Sequence, residues 1–399
     1  MDQAAGHAGS TPAAEDDEGV WIALSDPDVS MRELKAVTGV LKSSRLSQGP
    51  VVEAFESEFA SYLGRSYAIA VASGTVGTLL SLRAMGIGVG DEVIASPYSW
   101  HQVAYAVVHA GATPVLCEMN YWSGCIEPAR VAELLTARTR AIIAGNINGH
   151  PADWRRLREI ASGAGVRLIE DSTEAIGSRY TGKLVGTFGD VAVFDFAQPS
   201  ALVCGEGGML VTDDPGLASE LRYLRNRTLD DRFSISIGAR VPLQASMSDL
   251  NASLGLAQLE RLDEILARRK RVEAHYLEHI QAFEGIKPPY LAPDIDEIHW
   301  FLYVVHLGKR FERAARDQIV EDLETECVEA VPYCRPLHLQ YHYAQLGYRK
   351  TQFPLVERIA DRAVALPFHG HLTNDTVKFI VKTMKDSSVN VGAGAAIYL

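Results

Sequence analysis

The sequence predicts an α/β protein: a mostly parallel central sheet covered by helices, followed by a smaller α+β unit. Three observations predict it. Between residues 67 and 169, short apolar runs alternate with longer amphipathic stretches, the pattern of buried strands separated by helices. A glycine-rich block at 194–208, FDFAQPSALVCGEGG, joins two further apolar runs. A long helical pattern at 250–280 then precedes a second, shorter series of strand and helix. The expected organisation is a disordered tail at 1–19, a large sheet domain at 20–266, a small C-terminal domain at 267–385 and a flexible tail at 386–399.

The elements follow in order. Residues 1–19 are rich in Ala, Gly, Ser and acid and have little to bury. Stretches 28–41 and 51–63 have helical spacing, with Val52, Phe55, Phe59 and Leu63 on one face. The loop LSQGP separates them. Strands are expected at 67–72, 92–95, 113–116, 141–144 and 167–169, with helices between them at 76–85, 102–109, 129–135 and 154–163. In the glycine-rich block, strands at 191–194 and 209–211 flank a turn where Gly205, Gly207 and Gly208 allow tight bending or close approach. The pattern at 250–280 reads as one helix bridging to the C-terminal domain. There a strand at 303–305 and helices at 314–323 and 353–365 are expected. From 386 onward the residues are small and read as flexible.

Composition narrows the function classes. Hydrophobic content of 47% and charged content of 22% are ordinary for a globular chain of 399 residues. The net charge of −12 and the lack of a basic run longer than Arg268-Arg269-Lys270 argue against nucleic acid. No apolar run approaches the roughly 20 residues that span a bilayer. Five cysteines without metal-ligand spacing read as free thiols in a reducing cytoplasm.

The candidate chemistry lies at strand ends, where ligands of such sheets bind. SGTVGT at 73–78 opens a helix whose main-chain N–H groups make a phosphate site. Trp100 follows the second strand and Asp171 the fifth. These blocks, with VRLIEDSTEAIGSRYTGKLVGTFGDVAVF at 166–194 and VPLQASMSDLNASLGLAQLERLDE at 241–264, resemble the DegT/StrS-type sugar aminotransferases. That family consists of pyridoxal phosphate enzymes of aminosugar and aminocyclitol synthesis. The likeness runs from about residue 40 to 385, and includes RPLHLQ at 335–340 and LPFHGHLT at 366–373.

The resemblance implies a PLP-transferase fold, aspartate aminotransferase-like, and a set of roles. Gly74 and Thr75 would meet the cofactor phosphate. Trp100 would stack on the pyridine ring, and Asp171 would pair with the pyridine nitrogen. Glu174 stands where the family usually has Gln or His beside the 3-oxygen; a carboxylate donates no hydrogen bond unless protonated. Asp195 replaces the phosphate-binding serine. Gln244 replaces an Asn that reaches the phosphate of the neighbouring subunit, and Ser246 replaces an Arg. If the family pattern holds, the site spans a dimer interface. His338 has two readings, a residue lining the substrate cleft or a structural histidine of a loop, and catalysis is the less favoured. FAQPSALVCGEGG is closest to the branch with aminocyclitol aminotransferases and 3-amino-5-hydroxybenzoate synthase, a branch of antibiotic biosynthesis.

The family's Schiff-base lysine falls at Ser200. A serine hydroxyl forms no imine and is barely basic near neutral pH, and Lys183 is no obvious substitute. The catalytic positions are therefore Ser200, Asp171 and Glu174, without an amine. The reading placed first is an enzyme of aminosugar, aminocyclitol or antibiotic biosynthesis that uses pyridoxal or pyridoxamine phosphate non-covalently. Its substrate would be a keto-sugar or keto-cyclitol. The second is a non-catalytic subunit paired with an active homologue, in a homodimer or heterodimer framework. The third is cofactor-free chemistry in the same cleft using Asp195, Glu174 or His101.

Overall fold

The computed structural model describes residues 21–99, 101–226, 242–280, 285–292 and 295–397, with the side chains of 101–102 and 393–397 left aside. The expected tail at 1–19 and the Trp100 position lie outside these residues. The chain opens with helices α1 (Met31–Leu41) and α2 (Pro50–Leu63). It then alternates through β1 (Tyr67–Val71), α3 (Gly74–Ala84), β2 (Glu92–Ala95), α4 (His101–His109), β3 (Thr113–Leu116), α5 (Pro128–Leu134), β4 (Thr139–Gly145), α6 (Trp154–Ala164) and β5 (Arg167–Asp171). A small hairpin, β6 (Arg179–Tyr180) and β7 (Lys183–Leu184), precedes β8 (Val191–Asp195), β9 (Gly208–Thr212) and α7 (Pro215–Arg225).

These strands make a seven-stranded sheet in the order β1-β9-β8-β5-β4-β2-β3. The β8-β5, β5-β4, β4-β2 and β2-β3 ladders are parallel, and β9 runs antiparallel to both β1 and β8. The fold is thus a mostly parallel α/β sheet, as the alternation predicts. Adjacent residues of β4 point to opposite faces and belong to different cores. Ile142 packs with Trp154 and Leu157, and Ile143 packs with Leu80, Val193 and Leu210. The carboxyl ends of parallel β5 and β8 deliver Asp171 and Asp195 to one edge of the sheet, which fixes where the site must be.

The second unit is built on a four-stranded antiparallel sheet. It contains β10 (Ile286–Lys287), β11 (Tyr303–Leu307), β12 (Val331–Pro332) and β13 (Ala363–Leu366) in the order β10-β11-β13-β12. Helices α8 (Asp249–Glu260) and α9 (Leu262–Ile280) lead to it. Within it lie α10 (Arg313–Thr325), α11 (Tyr341–Gln345), α12 (Pro354–Ala360) and α13 (Asn374–Ile397).

Three expectations are corrected here. The single helix at 250–280 is two helices, because Arg261 leaves the helical conformation at φ −109° and ψ 6°. Its guanidinium is drawn into a buried cluster, at 2.8 Å from Asp28 and 2.6 Å from Glu33. The apolar spacing runs through the break, so periodicity alone does not reveal it. The helix at 353–365 stops at Ala360, and the last three residues of that stretch form part of central strand β13. A short apolar run at the end of a helical pattern fits either element. The flexible tail at 386–399 is instead helical as far as Ile397. Buried Ser387 and Ser388 show that small residues there permit close packing.

The Arg261 cluster carries a pH prediction. Burial alone would raise the Glu33 carboxyl, but the Ser30 hydroxyl and the Arg261 guanidinium more than offset it and hold the group at about 2. A depressed folded-state value contributes stability that is fully present above the ordinary carboxylate range and is lost as pH falls toward 2. Glu33→Gln is expected to flatten the stability curve between about pH 4.5 and 2. Urea midpoints measured across that window check it, and an unchanged slope would remove Glu33 from the account.

Candidate active site

The site is built where α3 begins, beside the ends of β5 and β8. Ser73 caps α3, with its hydroxyl accepting from the Val76 N–H at 3.3 Å. The first free main-chain donor of the helix, Gly74 N–H, is taken by a side chain of the protein itself. It donates to Asp195 Oδ2 at 2.7 Å, and the Ala197 N–H donates to Asp195 Oδ1 at 2.9 Å. Asp195 is 5% exposed. A Cβ placed on Gly74 would lie 2.9 Å from both Cβ and Oδ2 of Asp195, so the carboxylate fills the space over the helix end. Gly208, opposite Asp195 in the β8-β9 ladder, makes this approach possible. A Cβ there would stand 2.7 Å from the Ser73 carbonyl carbon and 2.8 Å from Gly74 N. Thr75, next along the helix, is half-buried.

Asp171 ends β5 and is half-buried, with Oδ1 accepting from the Thr173 N–H at 3.1 Å. Burial raises its carboxyl above the ordinary value. The charges of Asp195 and Glu170 push it the same way, against the hydrogen bond from Thr173. Glu174 is buried and accepts at Oε2 from the Asn148 N–H and from the Tyr333 hydroxyl, the latter at 2.7 Å. Ser200 is half-buried, and its hydroxyl accepts from the Leu202 N–H at 3.3 Å. Glu174 and Ser200 share a pocket with Thr173, Ile176, Ala201, His299, Trp300 and Phe301. The pocket has about 10 Å³ of free space, room for no more than one water, and its lining contains no lysine.

The structure therefore brings Gly74, Asp195 and Asp171 together where β5 and β8 end beside α3, and it places Glu174 with Ser200 in the small pocket. Gln244 stands apart. It is exposed and forms no hydrogen bond with another described residue. The segment that carries it is pinned by Leu243 N–H to Leu224 O and by Ala245 N–H to Arg225 O. Lys183 is exposed on the β6-β7 hairpin. His338 is fully buried, with Nε2 3.0 Å from Glu357 Oε1 and its ring against Phe353, so its role is structural. His101 begins α4, and its side chain lies outside the described ones. Among the described residues no helix is long and apolar enough to cross a membrane.

Several residues behind the site were not singled out from the sequence. Asn148 turns with φ 50°, donates to Glu174 and accepts the Leu302 N–H at 3.0 Å. Tyr333 reaches Glu174 from the second sheet and meets Tyr98 edge to face. Glu170, next to Asp171, is fully buried and accepts five hydrogen bonds. The one available signal was NING at 146–149, where Asn before Gly after a strand suggests a left-handed turn.

A scan of family models matches the DegT/DnrJ/EryC1/StrS aminotransferase family over residues 27–385. The chain belongs to this family. It is 34% identical to dTDP-3-amino-3,4,6-trideoxy-α-D-glucose transaminase of Streptomyces venezuelae, covering 88% of this chain and 90% of that protein. Among solved structures it resembles the aminotransferase TlmJ from Streptoalloteichus hindustanus. The TM-score is 0.86 at 30% identity, over 93% of this chain and 99% of that one. It also resembles Spr1654 from Streptococcus pneumoniae in its PLP-form. There the TM-score is 0.86 at 25% identity, over 93% and 100% of the two chains. Pyridoxal phosphate or its amine is thus the cofactor class of homologous structures, as the resemblance implies.

The donor set of this family member differs. A cofactor held through its phosphate and a lysine needs a free helix-end donor and an amine. Here the Gly74 N–H is already bound by a carboxylate, and the small pocket that holds Ser200 has no lysine in its lining. The residues present do not fit that mode of binding.

Proposed function

We propose that the chain serves aminosugar or aminocyclitol biosynthesis as a subunit that turns over no cofactor of its own and completes the site of a lysine-bearing homologue. The observation that carries the reading is Ser200, a hydroxyl at the amine's place in a pocket with no lysine in its lining. Without an amine there is neither a covalent anchor nor the base that shuttles the proton. Gln244 supports the assembly. Its amide is exposed on a pinned segment and engages no described residue of its own chain, which leaves it available to a neighbour. The pyridoxal phosphate of that assembly would be held on the homologue's lysine. Its substrate is a small keto-sugar or keto-cyclitol, and the likeness to the aminocyclitol branch favours the latter.

One observation favours the earlier first reading, non-covalent cofactor on this chain: Asp171 keeps its place at the end of β5, next to the phosphate end of the cleft. Cofactor-free catalysis has no such support, because both Asp195 and Glu174 already accept main-chain N–H groups.

The test is co-expression with a lysine-bearing family member from the same organism. The expected result is a mixed oligomer by native mass spectrometry. Borohydride reduction with pyridoxal phosphate should label the homologue's lysine and nothing between residues 194 and 208 of this chain. Gln244→Ala should lower the assembly's transamination rate by about tenfold, the loss expected for one charge-assisted hydrogen bond. Transamination of a keto-sugar by this chain alone, or a pyridoxyl adduct on one of its own cleft lysines, would overturn the reading.

A further inference from the structure

We infer that Asp195 is a tethered anion: its carboxylate occupies the place of a ligand phosphate at the start of α3 and makes the cleft reject phosphate-bearing ligands. The inference deepens the subunit reading by naming the residue that keeps the chain's own cleft unloaded, and it stands on separate geometry.

Three features make the contact a built one. The carboxylate is almost fully buried and uses both oxygens, one on the Gly74 N–H at 2.7 Å and one on the Ala197 N–H at 2.9 Å. Its backbone is fixed, because Asp195 is the last residue of a strand paired on both sides, with β5 and β9 as neighbours. The space is closed from the other side by Gly208, which admits the Ser73-Gly74 backbone at a distance no larger residue would allow. A helix N-terminus carries partial positive charge and attracts one anion at close range. When a side chain of the same molecule supplies that anion, no translational entropy is lost on binding it. A free phosphate must then displace a covalently attached competitor or approach a like charge within a few ångströms, and both are unfavourable.

The opposite charge state follows for ligands. Asp195 and Asp171 lie together at the strand ends; burial raises the Asp171 carboxyl, and the charge of Asp195 pushes it the same way. A ligand without phosphate gains relative to its phosphorylated form. Asp195 is therefore a specificity-determining residue.

The experiment compares pyridoxamine with pyridoxamine phosphate, and adds inorganic phosphate as a third probe. Binding to the full chain and to Asp195→Ser and Asp195→Asn is measured by calorimetry. Circular dichroism and melting curves verify that each variant is folded. For the wild type the phosphate group is expected to give no gain, with the phosphorylated and unphosphorylated probes within threefold of one another. Asp195→Ser is expected to favour the phosphorylated probe by at least tenfold and to bind inorganic phosphate. Asp195→Asn keeps an acceptor for the Gly74 N–H but loses the charge, so it should fall between the two. If Asp195→Ser does not fold, the Asn variant alone decides, by whether neutralising the charge moves the ratio. A wild-type preference for phosphate of tenfold or more, or equal ratios in all three proteins, would overturn the inference. Neither outcome bears on whether a homologous partner exists; the mixed-oligomer experiment decides that.

Discussion

Ser200→Lys alone is expected to yield no efficient transaminase, and Ser200→Lys combined with Asp195→Ser is expected to bind pyridoxal phosphate far more tightly than either single variant. The first change supplies an amine at residue 200. It leaves the Gly74 N–H engaged by Asp195, so the cofactor would meet a carboxylate where its phosphate needs a donor. Two unit charges about 4 Å apart repel by about 1 to 4 kcal/mol at effective dielectrics between bulk water and a protein surface. For a singly charged phosphate that is a loss of roughly fivefold to several hundredfold in affinity, and a dianion loses more. The second change removes the charge and restores a hydroxyl that donates. Both changes would act on the binding of one cofactor, so their effects are expected to be non-additive. Imine absorbance titrated with pyridoxal phosphate in the three variants measures it. Equal formation in Ser200→Lys and the double variant would mean that the carboxylate leaves Gly74 when phosphate arrives.

Even the double variant is expected to remain a poor catalyst. Glu174 is held by the Asn148 N–H and the Tyr333 hydroxyl, and it has no hydrogen to offer a neighbouring oxygen while ionised. The pocket it shares with Ser200 is also small. Binding and turnover are thus separable in these variants. Recovered absorbance without recovered rate would point to Glu174 as the next residue to change.

How far these features were legible from the chain depends on what each one rests on. The strands at 92–95 and 113–116 fall at the expected residues because apolar runs bounded by turn residues leave few alternatives. Asp171 and Asp195 could each be placed just past a strand because both follow apolar runs; that the two strands are neighbours appears only in the fold. The Asp195–Gly74 contact could not, since it joins residues separated by 121 positions. It also depends on Gly208, whose role appears only when β9 folds back beside α3. The break at Arg261 was hidden for a related reason. Its cause is a long-range ion pair with Asp28 and Glu33, and the local spacing carries no trace of it. Strand β13 was misread because Ala363–Leu366 gains its identity from pairing with β11 and β12 on either side. Glu170 was passed over for Asp171 beside it. A buried acid and a site acid look alike until their partners are known.

Glu170→Ala is expected to be the most damaging single substitution in this part of the sheet. The side chain is fully buried. Oε1 accepts from Gly186 N–H, Asn146 Nδ2 and Ser172 Oγ, and Oε2 accepts from Phe188 N–H and Gly189 N–H, at 2.5 to 3.1 Å. The carboxylate therefore fixes the loop that returns the chain into β8, the strand that carries Asp195. Truncation leaves three main-chain donors without an acceptor, and each costs about 1 to 3 kcal/mol when it stays buried. The sum, roughly 3 to 9 kcal/mol, is comparable with the whole stability of an ordinary domain. Asn146 is disturbed as well, because its other atom holds Ala152 N–H and Trp154 Nε1. Little soluble Glu170→Ala protein is expected, and what folds should melt well below the wild type. Glu170→Gln keeps the shape and one acceptor oxygen but turns an amide NH₂ toward N–H groups, so it should lie between the two. Urea midpoints for the two variants test the account. A Glu170→Ala protein within 1 kcal/mol of wild type would mean that water satisfies the loop, and that Asp195 owes its position to the β8-β9 ladder alone.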